Sequence, residues 1–260
     1  MNEAARGLDL FSLKGRVVVV TGAGGGIGAE LARGLSAAGA TIGLNGRRAA
    51  PLESLAADLP GSFALPFDIT DESAGAEALG SVVERFDRLD ALVCNAAMRD
   101  RRPLAEIEAY DHRRVLETNL VAPFQLARTA ASYMVPQKQG RIVMMTSLAQ
   151  DFASPGDAAY TSSKAGLAGL VRSLAVELGA HGINVNGIAP GLVATEVNQT
   201  LVERPEWQAM IRRTFPLQRP AAPAELAGAV IFLTSDASSY ITGQILTIDG
   251  GASVRMFPRD

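Results

Sequence analysis

The chain has 260 residues, 48% of them hydrophobic, and a net charge of −3, which suits a large buried core and leaves no basic footprint for nucleic acid. Its single cysteine, Cys94, excludes an intrachain disulfide and fits a reducing compartment. Residues 1–13 lack the basic start and apolar run of a secretory signal, and no apolar stretch is long enough for a bilayer, so a cytoplasmic protein without membrane association is expected.

Short β-branched runs alternate with longer alanine-rich segments along the whole chain. Residues 16–21 read as a fully buried strand and 26–38 as the helix after it. Residues 41–44 give a second strand, 51–59 a helix with proline in its first turn, and 62–66 a short third strand. A helix follows over 71–85, with Asp71 suited to its N-cap. Residues 91–94 form a strand, 104–131 a long helical region, and 141–146 another strand. Residues 158–178 are helical, 184–188 a strand, and 245–248 a closing strand. Strands buried on both faces and separated by helices imply an α/β fold with a parallel sheet covered on both sides. No repeat or linker divides the chain, which predicts one domain.

Directly after the first strand comes Thr21-Gly22-Ala23-Gly24-Gly25-Gly26-Ile27-Gly28, running into a helix. Glycines at such a place permit a tight turn and close approach of backbone to a diphosphate at the positive helix N-terminus. The end of the second strand, Asn45-Gly46-Arg47-Arg48, holds no acid to bond ribose hydroxyls or repel a phosphate. Arg47, with Arg48, suits the 2′-phosphate of NADP through planar, charge-assisted hydrogen bonds. NADP(H) is therefore favoured, with NAD(H) also possible.

Tyr160 and Lys164 are four residues apart, on one face of a helix. A phenol titrates near about 10, and a neighbouring ammonium favours its ionised form and brings it towards useful acid–base strength. Lysine occurs only at positions 14, 138 and 164, the chain otherwise using arginine, so a compact ammonium is selected here. Ser147 ends a buried strand at the edge where ligands of open α/β sheets bind. Asn119 lies in the preceding helical region, where a polar group can hold a water inside the fold. The cluster Arg99, Arg101 and Arg102 reads as a loop, a substrate or subunit contact being the alternative. His112 and His181 have no metal-ligand spacing and are assigned structural or surface places.

These residues resemble the short-chain dehydrogenase/reductase superfamily from about Leu13 to Gly251. The resemblance rests on the T-G-x-x-x-G-I-G turn, the Y-x-x-x-K pair, Ser147 thirteen residues earlier, Asn119, Pro190-Gly191 followed by Thr195, and the closing stretch at 241–251. It implies a single-domain Rossmann fold, a doubly wound parallel sheet of about seven strands spanning residues 14–260 after an extension at 1–13. By the same resemblance Tyr160 is the catalytic acid in reduction and base in oxidation, and Lys164 favours its ionised form and bonds the nicotinamide ribose. Ser147 bonds the substrate oxygen, and Asn119 positions a relay water. Gly22, Gly24, Gly25, Gly26, Ile27 and Gly28 hold the diphosphate, and Asp68, Ile69, Asn95 and Ala96 face the adenosine. Pro190, Gly191, Val193 and Thr195 line the nicotinamide, with Ile188 also contributing backbone, and about 191–215 forms a substrate lid. The resemblance implies a homotetramer or homodimer, built through the long helices of Asn119 and Tyr160 and the last strand.

Two departures from the family pattern are visible. Cys94 and Ala97 replace the usual first Asn and Gly of the turn around Asn95, and Cys94 reads as a small buried hydrophobe. Gly25 stands where NADP-preferring relatives often carry a basic residue, which leaves the 2′-phosphate to Arg47 and Arg48. The expected reaction is hydride exchange with a ketone or secondary alcohol: a sugar acid or polyol, a β-ketoacyl group or a small cyclic ketone. Features at 10–15 and 44–47 are similar to gluconate 5-dehydrogenases, and Pro216–Arg219 to β-ketoacyl reductases. The competing class is an NADP(H)-binding regulator without turnover, which would be expected to lack Ser147, Tyr160 or Lys164.

Overall fold

The structure, a computed structural model, describes residues 7–255. Residues 1–6 of the predicted extension and 256–260 of the predicted domain lie outside it. Its centre is a sheet of seven parallel strands in the order β3-β2-β1-β4-β5-β6-β7. The strands are β1 (Val17–Val20), β2 (Thr41–Gly46), β3 (Phe63–Pro66), β4 (Ala91–Cys94), β5 (Gly140–Met145), β6 (Ile183–Pro190) and β7 (Ile245–Ile248). The chain winds outward one way from β1 and then, through β4, the other way. That reversal opens a crevice at the carboxyl ends of β1 and β4, where ligands of such sheets bind.

β1 shows why the sheet needs cover on both sides. Val17 and Val19 join one apolar cluster, Val18 and Val20 the other, as the two-residue period of a strand requires. The first cluster is roofed by α3 (Glu72–Phe86), α5 (Ala122–Gln137) and α6 (Ala158–Leu178). The second is covered by α1 (Gly26–Ala37), α2 (Ala49–Asp58) and α9 (Ala227–Thr234). Asp71 caps α3 as expected, its carboxylate accepting from the Ala74 amide.

Three regions differ from the sequence reading. The helical region expected over 104–131 is a short 3-10 turn at Leu104–Glu106, α4 (Ala109–Leu116), a π-helical turn at Glu117–Val121, and then α5. Continuous apolar patterning conceals such a break, because the π turn inserts a residue without leaving the helix axis. Helix α9 was not anticipated. Its sequence, AGAVIFLT, is apolar all round, and a short run of that kind has no period to distinguish helix from strand. It packs on α1 at Gly34, where a Cβ would come within 2.6 Å of the Ala227 methyl. Leu13, assigned to the extension, is fully buried, and its amide bonds the Ala38 carbonyl at 2.8 Å.

Candidate active site

The glycine turn sits at the mouth of the crevice. Gly22 and Gly26 adopt left-handed backbone, with φ of 67° and 54°. A Cβ on Gly22 would lie 2.9 Å from the Ala96 Cα, and one on Gly28 only 2.1 Å from the Gly22 carbonyl oxygen. These positions exclude side chains for packing reasons. Gly25 differs: its backbone is extended and a Cβ there would meet nothing within 4 Å. Space above the turn is therefore open to a ligand that approaches the backbone.

Asn95 fastens the turn to the end of β4. Its Nδ2 donates to the Thr21 and Gly22 carbonyls at 3.0 and 3.3 Å, and the Thr21 hydroxyl accepts from the amides of Asn95 and Ala96. On one side of the turn is a cavity of about 680 Å³ lined by Gly22, Arg47, Asp68, Ile69, Asn95, Ala96 and Arg114, among others. Asn45 also lines it, and its buried Oδ1 has no partner among the described residues. Arg48 is the N-cap residue of α2 and does not contribute to this lining. Hydrogen bonds from the Thr70 amide and hydroxyl, at 3.0 and 2.9 Å, hold the Asp68 carboxyl below its ordinary range, and Arg47 adds to this. On the other side a cavity of about 820 Å³ is lined by Gly24, Gly25 and Gly26, with Thr195 and Gln199 opposite.

The predicted catalytic residues converge beyond this crevice. Helix α6 carries Tyr160 in its first turn and Lys164 one turn later. Lys164 is 3% exposed, and its Nζ donates to the Met145 carbonyl at 2.7 Å. Burial pushes its ammonium down to about 8, a fall that Cys94, at the end of β4, opposes. Cys94 is buried as expected, and burial pushes its thiol up to about 12. Ser147 follows β5 in extended conformation, its hydroxyl accepting from the Ala149 amide and hydrogen-bonded to the Tyr160 phenol. Burial raises the Tyr160 phenol above its ordinary range, and the bond to Ser147 and the charge of Arg99 oppose that rise.

Asn119 occupies the π turn, fully buried. Its Oδ1 accepts from the Met98 amide at 2.8 Å, and its Nδ2 donates to the Met98 carbonyl at 2.8 Å and the Ser163 hydroxyl at 3.0 Å. It therefore ties α6 to the loop after β4. His112 lies close by, its Nε2 3.0 Å from the Ser162 hydroxyl.

That loop carries Arg99 and Arg101, which the sequence reads as loop residues with a substrate or subunit contact as the alternative. The guanidinium carbon of Arg99 stands 4.8 Å from the centre of the Tyr160 ring. Arg99 is bonded in a two-pronged manner by the carboxylate of Asp157, the residue before α6, and Arg101 approaches the same carboxylate at 3.1 Å. Asp157 is 2% exposed, whereas the Arg99 and Arg101 side chains are 43% and 44% exposed. Burial disfavours the Asp157 charge, but its two guanidinium partners more than offset that and hold the carboxyl below its ordinary range. No sequence pattern singles out Asp157, and only the fold reveals that it faces two arginines 56 and 58 residues away.

The segment expected to line a nicotinamide and cover the substrate contains α7 (Gln199–Val202) and α8 (Pro205–Thr214). Gly191 packs where a Cβ would lie 2.8 Å from the Asp249 Cα. The Asn198 carboxamide bridges two backbone groups that the resemblance assigns to the nicotinamide, accepting from the Thr195 amide and donating to the Val193 carbonyl, both at 2.8 Å. The Ile188 carbonyl accepts from the Thr146 amide and hydroxyl. Val202, Ile211 and Phe215 give the segment a small apolar core of its own.

Residues 22–253 match the family model described as enoyl-(acyl carrier protein) reductase. Gluconate 5-dehydrogenase of Gluconobacter oxydans is 38% identical over 253 residues, covering 95% of this chain and 98% of that one. The chain belongs to the short-chain dehydrogenase/reductase family. Within that family, the 3-oxoacyl-(acyl-carrier-protein) reductase of Rickettsia bellii is 35% identical over 93% of this chain and 98% of its own. A gluconate 5-dehydrogenase from Burkholderia cenocepacia, solved in complex with NADP and tartrate, superposes with a TM-score of 0.91 at 33% identity, covering 96% of this chain and 99% of that one. The protein is thus an oxidoreductase of the short-chain dehydrogenase/reductase family with a Rossmann-like fold. Among the described residues no helix is long and apolar enough to cross a membrane.

Proposed function

We propose that the protein interconverts a ketone and a secondary alcohol with NADP(H), Tyr160 exchanging the proton, and that its substrate is a hydroxy or keto acid of the sugar-acid class. One observation carries the substrate class: Arg99 and Arg101 share a single buried carboxylate directly beside Tyr160. Two guanidinium groups on one Asp157 leave a surplus positive charge, half exposed, at the place where substrate would lie. Planar guanidinium groups suit a carboxylate. The Gluconobacter relative and the tartrate-bound Burkholderia structure are in line with that reading.

The residues present fit a dinucleotide. The cradle of Gly22 and Gly28 admits no Cβ, the space above Gly25 is open, and Asn45 offers a buried unpaired acceptor in the adenosine cavity. Arg47 would hold the 2′-phosphate from the wall of that cavity, with Arg48 beside it, and NAD(H) would bind less tightly. When bound, the nicotinamide supplies or receives the hydride. In reduction, Ser147 donates a hydrogen bond to the substrate oxygen and stabilises the negative charge developing there. The Tyr160 phenol gives that oxygen its proton and is left as phenolate, which the Lys164 ammonium favours. Asn119 fixes the loop and helix that frame this proton path, and a water beside it would return the proton from solvent. Exposed Phe124 and Val176, on α5 and α6, support assembly into a homo-oligomer through those helices.

The test is steady-state oxidation with NADP+ of D-gluconate, of the neutral polyol sorbitol, and reduction of acetoacetyl-coenzyme A with NADPH. Gluconate is expected to exceed sorbitol in kcat/KM by about 10- to 100-fold, the worth of one or two charge-assisted hydrogen bonds. Equal use of sorbitol would remove the carboxylate site, and tight NADPH binding without turnover of any substrate would indicate a regulator.

A further inference from the structure

We propose that Arg99 is a positioning residue for the proton transfer, locked by Asp157 against the face of Tyr160 so that its charge favours the phenolate. The inference rests on Tyr160 being the acid–base group and adds to it a second cation, from a different part of the chain than Lys164.

Every charged or titratable group facing Tyr160 bears on this. Lys164, on the same helix, gives its Nζ to the Met145 carbonyl and stands 5.7 Å from the Tyr160 ring centre. Arg99, from the loop after β4, stands nearer, at 4.8 Å. Ser147 supplies a hydrogen bond from beyond β5, and Asp157, at the start of α6, supplies an opposing charge. Asp157 is itself shared with Arg101, so the Arg99–Arg101–Asp157 cluster is positive overall. A cation on the face of an aromatic ring is attracted to the neutral phenol and far more strongly to the phenolate.

The two cations also differ in kind. The Lys164 ammonium is compact, wholly buried and able to lose its proton near pH 8. A guanidinium keeps its charge at every pH the protein meets. Arg99 therefore sustains the field at Tyr160 under conditions in which Lys164 is neutral. The fork of Asp157 fixes the orientation, because Oδ1 accepts from Nε at 2.8 Å while Oδ2 accepts from Nη2. Asp157 in turn is immobilised at the start of the helix that carries Tyr160.

The experiment follows the ionisation of Tyr160 itself and needs no substrate. Full-length protein labelled with [ζ-13C]tyrosine and saturated with NADP+ is titrated by NMR, and Tyr160→Phe assigns the resonance among the four tyrosines. Arg99→Gln is expected to raise the Tyr160 midpoint by about one pH unit, the effect of losing an opposite charge at this distance. Arg99→Lys, which keeps a charge but cannot form the fork, should give a smaller rise, and it carries the test if Arg99→Gln does not fold. A midpoint that does not rise in the folded variants overturns the inference. Normal turnover by Tyr160→Phe would instead overturn the acid–base role of Tyr160, so the two failures are distinguishable.

Discussion

The Nζ of Lys164 lies 2.7 Å from the Met145 carbonyl oxygen, a hydrogen bond that joins the second turn of α6 to the last residue of β5. Burial holds this ammonium at about 8, against an ordinary 10.5, so at pH 7 the folded state keeps a charge it accommodates poorly. That costs up to about 3 kcal/mol. Lys164→Met removes the charge and leaves the Met145 carbonyl without its donor, which offsets about 1–2 kcal/mol. The variant is expected to lose turnover yet melt higher than wild type at pH 7, by about 2–4 °C for each kcal/mol gained. Between about pH 8 and 10.5 the unfolded chain retains the proton that folded Lys164 has released, so wild type gains stability with rising pH and the difference closes. Scanning calorimetry of both proteins across that range tests the sign. A variant less stable than wild type at pH 7 contradicts it.

Gly25 and Gly28 separate packing from ligand approach within one turn. Gly28→Ala places a methyl 2.1 Å from the Gly22 carbonyl and is expected to destabilise the fold by about 1–3 kcal/mol. Gly25→Ala meets nothing and should leave the melting temperature unchanged while weakening NADPH. Thermal melts with and without NADPH read both effects.

Arg47 lies on the wall of the cavity beside the glycine turn, within electrostatic reach of Asp68. Arg47→Ala is expected to raise the dissociation constant of NADPH by about 10- to 100-fold and that of NADH little, since only NADPH carries the phosphate. Fluorescence titration with both nucleotides checks this, and equal weakening would remove the phosphate-binding role.

Asn119 makes three side-chain hydrogen bonds in a fully buried position. Asn119→Ala leaves the Met98 amide and carbonyl without these partners and is expected to cost about 2–3 kcal/mol. Hydrogen exchange should quicken at Met98 and along the loop to Pro103 before it does in β4. A variant with wild-type stability would show that the loop is held by other contacts.

Much of this site was legible in the sequence because its signals are local. The glycine turn, the Tyr160–Lys164 spacing and the strand end at Ser147 each follow from a few consecutive residues, and α6 runs over the same 158–178 that its pattern predicts. The central strands β1, β4 and β5 were legible for a related reason: short apolar runs buried on both faces leave few alternatives. What escaped was non-local or without period. Asp157 acquires meaning only when Arg99 and Arg101 fold against it, α9 is too uniformly apolar to show a face, and the π turn at Asn119 does not interrupt the hydrophobic pattern. Arg114, on α4, likewise joins the cavity of Arg47 and Asp68 only through the fold. The Asn198 carboxamide, bridging Thr195 and Val193, is a side-chain contact that no spacing announces.

The central claim is that Tyr160 moves the proton. Single-turnover oxidation of D-gluconate by Tyr160→Phe, with NADP+ binding measured in parallel, tests it most directly. The account predicts nucleotide affinity close to wild type and a loss of at least about 100-fold in the rate of NADPH formation, the scale of general acid–base catalysis. A rate near wild type in the nucleotide-bound variant would contradict it.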